Sequence, residues 1–388
     1  MLAVYSLAFG PDVGHVIGSL KFAGLNNIGG GGMALAPTVP VFAFVVFQLF
    51  FAAITPAIIT GAFAERMKFS AFAVFTALWL LCIYTSLAHW VWAPGGWLHD
   101  LGALDFAGGT VVHISSGVAG LAAVLVLGKR HGLKGKPMVP HNIPLTILGA
   151  GMLWFGWFGF NAGSALGANN IAATAFLTTN TAAGAAMLGW VLMDYRRQGK
   201  PSTMGAVSGA IAGLVAITPA AGYVSPLAAV CIGLVAGMIC SMAVNIKWKS
   251  GYDDALDVVG VHAVGGVVGA LAIGIFAATA VNPAGANGLL AGGGLILLGK
   301  QLLAVVTAIG FSFGGSWVLL RLIDATIGLR VTHAEEHAGL DLALHEEAGY
   351  AFMESRPAVR KQARRPIKIP AAGLMSSLEP EPIKVRSN

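Results

Sequence analysis

Nine apolar runs of helical length follow one another along this chain, at roughly 38–63, 69–92, 109–128, 143–163, 171–195, 202–219, 226–245, 255–279 and 296–323. A helix needs about 20 predominantly apolar residues to cross a hydrocarbon core of about 30 Å. In lipid every backbone N–H and C=O has to be satisfied within the protein, and only helices and closed barrels achieve that. Runs of this length therefore point to one fold class: an all-α, polytopic membrane helix bundle. Composition agrees, because charged residues make up 10% of the 388 and hydrophobic residues 56%, against about 25% charged in a soluble domain. The opening "MLAVYSLAFG" reads as the last half of a tenth span and has no signal-peptide pattern.

The loops set the expected orientation. Arg66 and Lys68 follow the first full span, and Lys129, Arg130, Lys134 and Lys136 the third. Arg196, Arg197 and Lys200 follow the fifth, Lys247 and Lys249 the seventh, and Arg321 and Arg330 the ninth. The alternate loops, 93–108, 164–170, 220–225 and 280–295, hold no Lys or Arg. Basic loops face the cytoplasm, so the tail from Thr332 is expected there too; Lys21 and Lys300 run against the trend. The net charge of +6 sits in these short loops and in the tail, which argues against a nucleic-acid partner and for a lipid bilayer. Cys82, Cys231 and Cys240 fall within apolar runs and read as small core residues.

Three regions are expected: a membrane domain over 1–331, a C-terminal region over 332–351, and a tail over 352–388. The second contains the acidic "HAEEHAGLDLALHEEAGY", which suits short helical or docked structure. The third is basic and Pro-rich and is expected to be disordered, a solvated linker rather than a lipid or partner contact.

Two segments echo each other. Asp105, His113, Gly117 and Gly120 match Asp254, His262, Gly266 and Gly269, both as D-x7-H-x3-G-x2-G. "ITPA" occurs earlier in each half, at 54–57 and 217–220. The second histidine lies on the fifth span after the first, and an odd shift reverses helix direction. That order predicts an inverted-topology repeat, whose shared site lies near the bilayer midplane. Each histidine shares a helix stripe with two glycines. Helices crossing at such glycines can approach closely, which would set the two imidazoles side by side.

An ionisable group inside a span costs about 3 kcal/mol on insertion scales, so His113 and His262 are functional candidates. The bland alternative is two unrelated buried imidazoles, each bonded to a carbonyl. A metal is disfavoured for want of a third ligand at suitable spacing. A haem between the two rings stays open, although each span carries one such histidine. Asp105, Asp254 and Asp257 lie at span entrances, where a carboxylate caps orphan N–H groups. At Asp105 structural support and electrostatics are inseparable. "FQLFF", "HWVW" and "WFGWFGFNAGS" place aromatic rings at related depths, with Ser164 at the end of the last. Interfacial belts explain such rings; so does a cation site, at about 0.5–2 kcal/mol per ring.

"DFAGGTVVHISSGVAGLAAVLVLGKR" resembles the signature of the ammonium transporter family, the relatives of Rhesus proteins. "GWFGFNAGS", "AITPAAGY" and "DDALDVVGVHAVGGVVG" are similar to its other hallmark segments, in the expected order. The resemblance covers about residues 1 to 350. It implies a homotrimer with one pore in each subunit, no cofactor and no enzymatic activity. Carried over by position, Trp92, Phe51 and Ser164 match the external ammonium recruitment site. Phe51 and Phe160 match the stacked gate, and His113 and His262 the paired histidines of the pore. Asp105 matches the aspartate below the recruitment site. Glu336, Gly339, Asp341, His345 and Glu347 resemble a regulatory tail region, where a PII-type signalling protein plugs the pore in prokaryotes. Family members have eleven spans, so the first is missing here; a fragment of a longer protein is the favoured reading over a defective paralogue.

The expected function is recruitment of ammonium, with methylammonium as its analogue, followed by deprotonation and conduction of ammonia with coupled proton movement. The setting is the plasma or inner membrane. Rival readings are an ammonium sensor on the same scaffold, a Rhesus-like neutral gas channel, and a haem-dependent redox enzyme.

Overall fold

The structure, a computed structural model, describes residues 3–29, 32–33, 35–132 and 138–350, with residues 32, 33 and 248 given by backbone alone. Lys134, Lys136 and the tail 352–388 lie outside the described residues. The chain divides into two compact units, Met1–Glu346 and Glu347–Asn388, and the architecture below is that of the first.

A short helix α1 (Val4–Phe9) is followed by two small antiparallel hairpins, Asp12–Val13 with Ile17–Gly18 and Gly32–Met33 with Ala36–Pro40. The helices that follow are α2 (Val41–Phe63), α3 (Phe69–Trp79), α4 (Thr85–Trp92), α5 (Trp97–Leu101), α6 (Ser115–Leu127), α7 (Ile143–Gly163), α8 (Asn170–Gln198), α9 (Thr203–Ile217), α10 (Pro226–Ser250), α11 (Val264–Phe276), α12 (Ile296–Thr326), α13 (His333–Ala338) and α14 (Leu340–His345). Among the described residues three π-helical turns interrupt the α pattern: Leu80–Tyr84 joins α3 to α4, Gly109–Ile114 leads into α6, and Val259–Ala263 leads into α11.

Local sequence explains the span ends. Asn142, Asn169, Ser202 and Ser225 each accept a hydrogen bond from an N–H of the first turn of α7, α8, α9 and α10, the usual N-cap chemistry. Gly199 and Gly251 end α8 and α10 in the left-handed conformation that lacks a penalty only in glycine.

Among the described residues eight helical stretches are long and apolar enough to cross a membrane. The sixth expected span, 202–219, is shorter: α9 has 15 residues, about 22 Å at 1.5 Å per residue. It stops before Pro219, which has no N–H to continue the ladder. Thr218, Ala220, Ala221 and Val224 are nonetheless fully buried, and irregular backbone is tolerated at membrane depth where protein surrounds it. Leu148, Met152 and Phe155 of α7 are exposed; an apolar face turned outward suits lipid or another protein, not water. Cys82 and Cys231 are also exposed and only Cys240 is buried. The core role expected of all three therefore holds for one, because outward and inward faces of a span are equally apolar.

The helices bearing the two histidines cross through their glycines. A Cβ on Gly117 would stand 2.3 Å from Ala263 N, and one on Gly266 would stand 2.9 Å from Ile114 Cγ1. Each glycine thus seats the residue that follows the other helix's histidine. Gly117 with Ala263 and Gly266 with Ile114 are contacts made by matching positions of the two D-x7-H-x3-G-x2-G segments.

Candidate functional site

Aromatic rings from three distant spans meet at the end of the bundle bearing Trp92. Phe47 and Phe51, one turn apart on α2, have ring centroids 4.9 Å apart. Phe51 is 2% exposed. Trp92, the last residue of α4, meets Phe51 edge-on at 5.4 Å, and its Nε1 donates to the Asp105 carbonyl at 3.0 Å. Phe160 of α7 lies 4.3 Å from Phe51 at an interplanar angle of 32°. Ser164, one turn further, donates its hydroxyl to the Phe160 carbonyl at 2.9 Å. Phe47, Gln48, Phe51, Trp92, Phe106 and Ser164 contribute to the walls of a cavity of about 110 Å³. The expected recruitment residues Trp92, Phe51 and Ser164 thus share one cavity, and Phe51 pairs with Phe160 with the two rings tilted rather than parallel.

The histidines lie further along the same column. His113 is 6.3 Å from Phe160 between ring centroids. The His113 and His262 rings are 5.3 Å apart at 27°, with Nδ1 atoms 3.2 Å apart. They bond each other rather than separate carbonyls. Both sit on π-helical turns, a feature common at functional sites and invisible to a 3.6-residue period. His113 is 1% exposed, and its Nε2 has no hydrogen-bond partner. Leaving a buried polar atom unpaired costs about 1–3 kcal/mol, which makes this atom a candidate ligand contact. Trp157 stacks on His113 at 5.4 Å and 17°, and its Nε1 donates to Thr218 at 2.9 Å. Sequence reasoning quoted this tryptophan without giving it a part. Its position three residues before Phe160, on the same helix face, was the available signal.

Asp105 and Asp254 do one job in the two halves. Asp105 Oδ1 accepts from Gly108 and Gly109 N at 2.8 and 2.7 Å, and Oδ2 from Thr110 and Val111 N at 2.8 and 3.1 Å. Both oxygens are engaged with the start of the His113 helix. Asp254 Oδ2 accepts from Val259 N at 2.7 Å at the start of the His262 helix. Burial pushes the Asp254 carboxyl up to about 6. Asp257 behaves differently: its side chain pairs with Lys247 instead of capping, at a backbone φ of 63°.

Of the tail residues, Glu336 pairs with Arg330. Glu336 accepts from Arg330 Nη2 at 2.9 Å and from His131 N at 2.6 Å. Arg330 also donates to the Leu127 and Lys129 carbonyls, so the tail is laid onto the loop after the third span. Gly339, at φ 94°, turns the chain between α13 and α14. Asp341 lies in the first turn of α14, and His345 meets Phe69 edge-on at 5.3 Å. Glu347 belongs to the second unit.

A bundle of apolar spans around a column of rings, with a cavity at one end, defines the class: a polytopic α-helical membrane transport protein. Residues 2–350 match the sequence profile of the Ammonium Transporter Family, and the chain belongs to that family. It is 51% identical over 347 residues to an ammonium transporter of Bacillus subtilis, covering 89% of this chain and 85% of that protein. The crystal structure of Candida albicans Mep2 superposes with a TM-score of 0.81 at 38% identity, covering 86% of this chain and 75% of that one. A solved protein described as a Sensor Amt Protein superposes with a TM-score of 0.79 at 35% identity, covering 88% and 85%.

Proposed function

We propose that this chain captures ammonium in the Trp92–Phe51–Ser164 cavity, releases its proton at the Phe51/Phe160 gate, and passes ammonia along His113 and His262. The observation that carries the reading is the unbroken run of ring contacts from Trp92 through Phe51 and Phe160 to the two histidines. Aromatic faces attract a small cation. Carrying that cation unpaired into a medium of low dielectric costs tens of kcal/mol by idealised Born estimates. Burial disfavours the charged form of an amine, so the proton leaves where the rings close and the neutral species continues. An imidazole pair both donates and accepts. It offers passing ammonia hydrogen bonds that an apolar wall lacks, and it gives the released proton a route, so net transport is electrogenic.

The two halves are read as an inverted-topology repeat meeting at the histidines. The working assembly is a homotrimer in the plasma or inner membrane, with the C-terminus in the cytoplasm. Residues 1–331 form the membrane domain. Residues 332–351 act as a regulatory region, with Glu336, Gly339, Asp341, His345 and Glu347 offered to a PII-type signalling protein. Uptake of labelled methylammonium, with current recorded under the same gradient in cells lacking their own transporters, tests the reading. Uptake accompanied by inward current supports it. Binding without uptake would make the protein a sensor, and uptake without current a neutral gas channel.

A further inference from the structure

The segment carrying Trp92 is strapped to the N-terminal hairpin on both sides. That hairpin turns through Gly14 and His15, both at φ 64°. His89 is fully buried. Its Nδ1 lies 2.9 Å from the Ala8 carbonyl oxygen and its Nε2 2.9 Å from Asp12 Oδ1. Trp90 Nε1 donates to the Val16 carbonyl at 2.7 Å. His15 Nδ1 lies 2.6 Å from the Gly95 carbonyl oxygen. The hairpin presses so closely that a Cβ on Gly95 would stand 2.8 Å from Asp12 Cβ. Trp92 sits in the middle of this tethered stretch, one helical turn after His89.

The Ala8 carbonyl and the ionised Asp12 carboxylate can only accept, so both bonds require His89 to donate, from Nδ1 to the carbonyl and from Nε2 to the carboxylate. His15 N donates to both oxygens of Asp12, at 2.9 and 3.2 Å. The His89 bond holds the Asp12 carboxyl below its ordinary range. A buried ring engaged at both nitrogens is locked in orientation. Neither Asp12 nor His89 lines the cavity, and the conduction path uses neither.

We propose that Asp12 and His89 are positioning residues: by pinning the last turn of α4 to the N-terminal hairpin, they set the depth and tilt of the Trp92 indole against Phe51. The proposal rests on the assignment of Trp92 to cation capture. Loss of the pair weakens capture without slowing passage.

The test is methylammonium uptake by the full chain, with KM and maximal rate normalised to folded protein in the membrane, for Asp12→Ala, Asp12→Glu, Trp92→Ala and the Asp12→Ala/Trp92→Ala double variant. Asp12→Ala is expected to raise KM on the order of ten-fold, the scale of one charge-assisted hydrogen bond, at unchanged maximal rate. Asp12→Glu restores most of it, and Asp12→Ala adds nothing once Trp92 is gone. A rise with Trp92→Ala alone, or an equal rise from Asp12→Ala in both backgrounds, overturns the positioning role. An unchanged KM in Trp92→Ala overturns the capture assignment and the proposal with it. The Asp12 side chain is 25% exposed, so folding should survive; if Asp12→Ala is not recovered, Asp12→Asn keeps the shape, removes the charge and is read the same way.

Discussion

The Nδ1 atoms of His113 and His262 lie 3.2 Å apart, so one ring donates to the other across a contact between residues 149 positions apart in sequence. Each ring is presented by a π-helical turn, and the two helices cross at Gly117 and Gly266. The pair is therefore a single unit shared by both halves of the chain.

Replacing both rings should change what passes. His113→Ala with His262→Ala leaves an apolar wall where two hydrogen-bonding groups stood. Ammonium currents are expected to fall, or to lose selectivity over potassium. Currents and selectivity that both survive the double change would remove the histidines from the mechanism.

Capture should depend on the rings rather than on Ser164 alone. Each cation–π contact is worth about 0.5–2 kcal/mol, so Trp92→Ala is expected to raise the KM for methylammonium by roughly two- to thirty-fold. Trp92→Phe keeps a ring face and loses the indole bond to the Asp105 carbonyl, and should fall between the two. Concentration-dependent uptake at fixed expression separates the three.

Asp105 should be a stability residue before it is anything else. Its four accepted N–H bonds make Asp105→Ala strand several buried donors, each costing about 1–3 kcal/mol. Thermal melting in detergent is expected to drop clearly for Asp105→Ala and less for Asp105→Asn, which keeps one acceptor. Equal melting of wild type and Asp105→Ala would refute the capping account.

Asp254 predicts a pH dependence of definite sign. Burial raises its carboxyl to about 6 in the folded protein, above the ordinary value of about 3.9. The folded state therefore prefers the protonated form, and the stability this provides is present at low pH and lost as pH rises through about 6. Asp254→Asn can keep the bond to Val259 N and lacks the charge. Wild type should gain stability relative to Asp254→Asn as pH falls from about 8 to about 5, read from paired melting curves. A gap that stays constant, or that moves the other way, would show that Asp254 is not desolvated as described.

Much of this protein is written locally. Hydropathy alone placed the spans, because no backbone crosses lipid without internal hydrogen bonds. Sequence spacing marked His113, His262 and their glycines, because one helix turn is a property of the chain itself. The D-x7-H pattern located the capping aspartates Asp105 and Asp254, and missed that Asp257, three residues on, pairs with Lys247 instead. The resemblance to a known family singled out Trp92, Phe51 and Ser164 as a recruitment site and Phe51 with Phe160 as a gate before any distance was known. Tertiary structure alone decided the rest: that Trp157 stacks on His113, that α9 ends short of a full crossing, that Cys82 and Cys231 face outward, and that His89 reaches back to Asp12. The reason is common to all four. An apolar period says that a residue lies on a helix, but which neighbour it meets is set by packing between segments that are remote along the chain.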